Sequence, residues 1–168
     1  MKSAILILLS VMLGPLSGLA GTVWLGGKDD PWAWRPWKAA RTVTCDKRGL
    51  VFDARTNQNE REAIAIWDVP DVQVERIRFR LHLEENETAS ALKVRVSFKT
   101  TTGEVTMVPA TLVANDNANG GSLFEARYTP SADSRSPLLK TIFIQVSEGN
   151  ARTPFSRILI LSYAELIN

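Results

Sequence analysis

Beyond about residue 42, hydrophobic and polar residues alternate with a period of two through most of the chain. Residues 75–83 (ERIRFRLHL) set Ile77, Phe79, Leu81 and Leu83 against Arg76, Arg78, Arg80 and His82. Residues 92–100 (LKVRVSFKT) repeat the design, with Leu92, Val94, Val96 and Phe98 against Lys93, Arg95, Ser97 and Lys99. Successive side chains of an extended strand point to opposite faces, so this pattern predicts half-buried β-strands. The same reading places strands at residues 42–45, 50–54, 63–68, 75–83, 92–100, 105–112, 123–128, 139–146 and 156–161. Turn-forming clusters of Gly, Pro, Asn and Asp separate them, among them residues 68–71, 101–103, 115–121 and 130–137. The one helical candidate is the tail, residues 162–168. Short strands at such spacing predict an all-β fold, an antiparallel β-sandwich or barrel.

The opening of the chain has a different pattern. No charged side chain occurs between Lys2 and Lys28, and residues 4–14 (AILILLSVMLG) are apolar. A short positive start, an apolar stretch, the Gly14-Pro15 break and small residues at Gly18 and Ala20 fit a secretory signal peptide over residues 1–20. The rival is a retained membrane anchor over residues 5–25, since about 20 apolar residues suffice to cross a bilayer. Either reading sends the body out of the cytoplasm, to a periplasmic or extracellular place, with membrane contact through the N-terminus. Residues 21–41 then read as a Trp/Pro-rich arm, and residues 42–168 as the sandwich domain.

Composition narrows the function classes. Twenty Lys and Arg stand against 18 Asp and Glu, a net charge of +2, without the basic excess usual in nucleic-acid binders. Cys45 is the only cysteine, which rules out an intrachain disulfide or a thiolate metal cluster. Catalytic vocabulary is sparse. His82 is the only histidine, and no nucleophile elbow, phosphate loop or paired-histidine motif occurs. A small glycoside hydrolase would need two convergent carboxylates, for which Asp53, Asp68, Asp71 and Glu125 are the candidates. The reading is a protein without catalysis, cofactor or metal. The loop at residues 115–121 partly copies a calcium loop through Asn115, Asn117, Asn119 and Gly120. Its first ligand is Asn and its twelfth position is Ala126, so it reads as a turn.

The strand rhythm from Leu50 to Ile167 resembles that of galactose-binding-domain-like jelly rolls, which include many carbohydrate-binding modules. The resemblance lies in LVFDA leading to IAIWDVP, in ERIRFRLHL, in LKVRVSFKTTTG, and in the closing pair LLKTIFIQVSEG and FSRILILSYAEL. It implies a β-jelly-roll, and a binding role rather than catalysis. An immunoglobulin-like sandwich is the runner-up fold.

Two groups of residues are candidates for binding. Arg76, Arg78, Arg80, Lys93, Arg95 and Lys99 would form one basic face if residues 75–83 and 92–100 paired as a hairpin. Like charges directly opposite one another are destabilising. An anionic polysaccharide would offset them, or else acidic neighbours such as Glu60, Glu62, Glu104 or Glu125. Trp32, Trp34 and Trp37 form a W-x-W-x-x-W cluster that could stack on sugar rings, lie at a membrane surface, dock on a partner or cover a sheet edge. The leading expectation is an exported, non-catalytic module of the cell envelope that binds carbohydrate. The alternative is a structural or assembly subunit of an envelope secretion, pilus or polysaccharide-export complex, with an envelope protein as partner.

Overall fold

The computed structural model describes residues 23–24, 34–38, 42–46, 48–55, 59–84, 92–116, 121–132, 138–150 and 152–168. Every regular element among them is a strand: β1 (Val23–Trp24), β2 (Trp34–Lys38), β3 (Thr42–Asp46), β4 (Gly49–Asp53), β5 (Glu62–Gln73), β6 (Arg76–Leu83), β7 (Lys93–Thr100), β8 (Val105–Pro109), β9 (Thr111–Asp116), β10 (Gly121–Arg127), β11 (Leu138–Ser147) and β12 (Ile158–Ile167). They form two antiparallel sheets. Sheet A runs β3-β4-β12-β6-β10-β9, with β1 also paired to β12; sheet B runs β2-β5-β11-β7-β8. From β5 onward the chain passes repeatedly from one sheet to the other, the winding of a β-sandwich jelly roll.

The alternation seen in the sequence decides which side of each strand is buried. In β6, Ile77, Phe79, Leu81 and Leu83 are buried while the arginines and His82 stay half-exposed. In β7 the inward set is Val94, Val96 and Phe98. Between the sheets these meet Phe52 of β4, Trp67 of β5, Ile142, Ile144 and Val146 of β11, and Leu159 and Leu161 of β12 in one continuous core. Phe79 and Phe124 stack at 5.8 Å between ring centroids within sheet A, and Phe98 of sheet B meets Tyr128 at 5.2 Å. Trp67 is buried in this core.

Four expectations need correction. Residues 68–71 do not form a turn but lie inside β5, which carries a register shift against β11 there. The tail is not helical: residues 162–167 belong to β12, with a register shift between Leu161 and Tyr163. The expected strand at residues 105–112 is two, β8 and β9, because the chain leaves sheet B at Ala110 and enters sheet A. Most consequentially, β6 and β7 are not a hairpin. β6 lies between β12 and β10 in sheet A, whereas β7 lies between β11 and β8 in sheet B. Both strands have an oily side, and the sandwich places those two sides face to face, so the basic sides point away from each other.

The apolar run at residues 4–14, Trp32, and loop residues Asn117 and Asn119 with Gly120 lie outside the described residues.

Candidate functional site

Separation of the two basic stripes gives each its own surroundings. On the outer side of sheet A, Arg78 stands opposite Glu125 of β10 and Glu165 of β12, one on each flank. Arg78 Nε donates to Glu125 Oε2 at 2.7 Å. Arg76 and Arg127 approach the same carboxylate at 3.6 and 3.5 Å. The hydrogen bond from Arg78, reinforced by the charge of Arg76, holds the Glu125 carboxyl below the usual carboxylate range. Tyr163, opposite Arg80, donates its hydroxyl to Glu165 at 2.5 Å, and burial together with that carboxylate pushes its pKa up to about 12. His82 Nε2 and Ser162 Oγ lie 2.6 Å apart, and Gly121, opposite His82, leaves the space that the His82 and Arg80 side chains fill. Much of this stripe's charge is thus held within the sheet. Glu125 was named among the possible acidic neighbours; Glu165 and Tyr163 were not, because the tail read as a helix.

The β7 stripe faces outward from sheet B. Across β11, Lys93 stands opposite Ser147 and Arg95 opposite Gln145; on β11's other flank, Ser147 stands opposite Glu62 and Gln145 opposite Ile64. Arg95 reaches past β11 to pair with the Glu62 carboxylate. Gln145 Nε2 donates to Ser97 Oγ at 2.9 Å, and Thr141 Oγ1 to Asp68 Oδ1 at 3.3 Å. Lys93 is exposed, and neither Lys93 nor Arg61 makes an ion pair among the described residues.

At this end of sheet B a groove of about 800 Å³ opens. Asn59, Glu60, Arg61, Glu62, Lys93, Arg95 and Ser147 give it polar walls, and Leu92, Val94, Pro109 and Ala110 an apolar side. Donors and acceptors both line it: Arg61, Lys93 and Arg95 donate, Glu60 and Glu62 accept, and Asn59 and Ser147 do both. Sugar hydroxyls, which donate and accept equally, match such a lining. Three cations stand beside two carboxylates, and one carboxylate is already held by Arg95. The groove therefore has cationic capacity to spare.

Lys93 and Arg95 of the sequence-derived set line this groove, and Lys99 lies farther along the same outer side. Arg76, Arg78 and Arg80 lie on the opposite sheet. Trp34 and Trp37 sit on β2, an edge strand whose register puts Trp34 opposite Trp67 and Trp37 opposite Ile64. β2 and β7 share sheet B with β5 and β11 between them, about 14 Å apart at ordinary strand spacing.

The candidate carboxylates for hydrolysis are divided between the two sheets. Asp53 of β4 is held by Arg55 and Glu125 of β10 by Arg78, whereas Asp68 and Asp71 lie on β5 in the other sheet. No cluster of three metal-ligating side chains occurs among the described residues. Asn59 and Arg61 were not foreseen; they precede β5 in a segment without alternation, where period carries no information.

No family model and no curated protein sequence matches the chain. Among solved structures, one described as "xylan-binding module CBM15" superposes with a TM-score of 0.53 at 10% identity, covering 87% of this chain and 95% of that one. At that identity the likeness is one of fold: the two share the jelly-roll sandwich.

Proposed function

We propose that this protein is a non-catalytic carbohydrate-binding module whose site is the groove at the end of sheet B. The observation that carries the reading is the groove itself, with hydrogen-bonding side chains of both kinds packed along a sheet end. The fold it shares with a xylan-binding module supports the same class of ligand. Within that class the lining favours an acidic glycan. Lys93 and Arg61 are free to meet a uronic-acid carboxylate, and the Arg95–Glu62 pair fixes a donor and an acceptor side by side. Export is part of the proposal: the apolar N-terminal run supports a site of action outside the cytoplasm, where acidic polysaccharides are found.

Affinity electrophoresis through gels containing glucuronoxylan, pectate or neutral xylan tests it. Retardation should be strongest in the acidic polymers and weaken as salt rises, because a half-exposed charge contact is screened within about 8–10 Å at physiological ionic strength. Equal mobility in all gels and in the polymer-free control would refute a glycan ligand of this class.

A further inference from the structure

β8 and β9 are one continuous stretch that forms the edge of both sheets. Four of the five exposed large hydrophobic residues among the described residues lie on it: Val105 (58%), Met107 (51%), Leu112 (38%) and Val113 (50%). No charged residue occurs from Val105 to Asn115, between Glu104 and Asp116. Edge strands ordinarily carry charges that discourage pairing with another chain, and an apolar concentration of this kind marks a contact surface.

The backbone tells which part of the edge is usable. Thr100 N donates to Glu104 O, and Ala110 N to Val94 O. With Val108 opposite Val96 and Thr106 opposite Phe98, the even-numbered residues of β8 turn their N–H and C=O toward β7. Val105, Met107 and Pro109 therefore turn theirs outward. Pro109 has no N–H, so the free donors of this edge are those of Val105 and Met107. Farther on, Val113 is an extra residue between the pairs Leu112–Phe124 and Ala114–Leu123, a bulge that bends the edge of β9. What is left open is a short, uncharged strand limited by Pro109.

We infer that β8 pairs antiparallel with β8 of a second copy of this chain, about a two-fold axis through Thr106, joining two five-stranded sheets. In this register the backbone groups of Val105 meet those of Met107 in both directions. The Val105 and Met107 side chains of the two copies lie together on one face. A self-paired edge sets any side chain near its own copy, so a charge there would face its like; the uncharged stretch avoids that cost. A charged partner would find no complement on this strand. Pro109 closes the pairing after one contact, giving a dimer rather than a fibre. The contact, one short strand from each copy, falls below the ~1,200–2,000 Å² of stable interfaces, so a weak, transient dimer is expected.

Sedimentation velocity of the full chain as purified from cells, over a wide series of concentrations, tests the inference. The expected result is a concentration-dependent monomer–dimer equilibrium, lost in Met107→Lys and kept in Met107→Leu, with both variants showing the parent's circular dichroism. A monomer at every concentration would overturn it. So would a dimer that Met107→Lys leaves intact.

Discussion

At the residue scale, small positions carry constraints out of proportion to their size. Gly49 opens β4 with a φ of 132°, and a Cβ there would run into the Leu161 carbonyl oxygen and the Ser162 Cα. Gly49→Ala meets both a disfavoured backbone region and a backbone clash, and should lower stability by about 2 kcal/mol or more, read as a drop in the urea midpoint. Two titratable residues on the outer side of sheet A make stability depend on pH. Glu125 is held below its ordinary value of 4.5, so its contribution to stability is fully present above that pH and is lost as pH falls through the lower, folded value. Glu125→Gln should flatten the acid limb of a Tm-versus-pH curve. Tyr163 acts at the other end. Its pKa rises from 10.0 to about 12, so the stability it contributes is intact below pH 10.0 and declines between there and about 12. Tyr163→Phe should remove that decline, checked by the same thermal scans carried into alkaline buffer.

At the element scale, strands with unbroken alternation were legible from the sequence, and those with bulges were not. β6 alternates without interruption, so its inward and outward residues could be read directly. In β12 the inward residues are Leu159 and Leu161, then Ala164 and Leu166. The extra residue Ser162 shifts the phase between Leu161 and Tyr163. A three-residue step between buried positions imitates a helix, which is why residues 162–168 read as one. Deleting Ser162 should remove the bulge and leave strict alternation, with Ala164 and Leu166 still inward and Tyr163 and Glu165 still outward. The expected outcome is a soluble variant that keeps a cooperative melt, its midpoint lowered by loss of the Ser162–His82 contact. The β8–β9 boundary was hidden for a related reason: a strand passing from one sheet to the other keeps its chemistry while changing its partners.

At the scale of the whole molecule, two layers with an oily interior follow from alternation, but the assignment of strands to layers does not. Phe79 and Phe98 look equivalent in the sequence, yet they come from opposite sheets into one core. Both are fully buried, and Phe98→Ala should cost about 3–5 kcal/mol in chemical denaturation. The same ambiguity governs the candidate site. Six basic residues suggested one surface; the sandwich divides them, ties Arg78 to Glu125, and leaves Lys93 beside a groove with Arg61 and Arg95. Groove residues such as Asn59 and Arg61 are brought to β7 by long-range pairing through β11, which no local pattern encodes. The most direct test of the account is calorimetric titration of an acidic xylan oligosaccharide into the wild-type chain, Arg61→Glu/Lys93→Glu, and Arg127→Glu, whose exposed side chain lies on sheet A. The account predicts binding by the wild type and by Arg127→Glu, with at least a tenfold loss in the double variant. Undiminished affinity in Arg61→Glu/Lys93→Glu, or loss confined to Arg127→Glu, would contradict it.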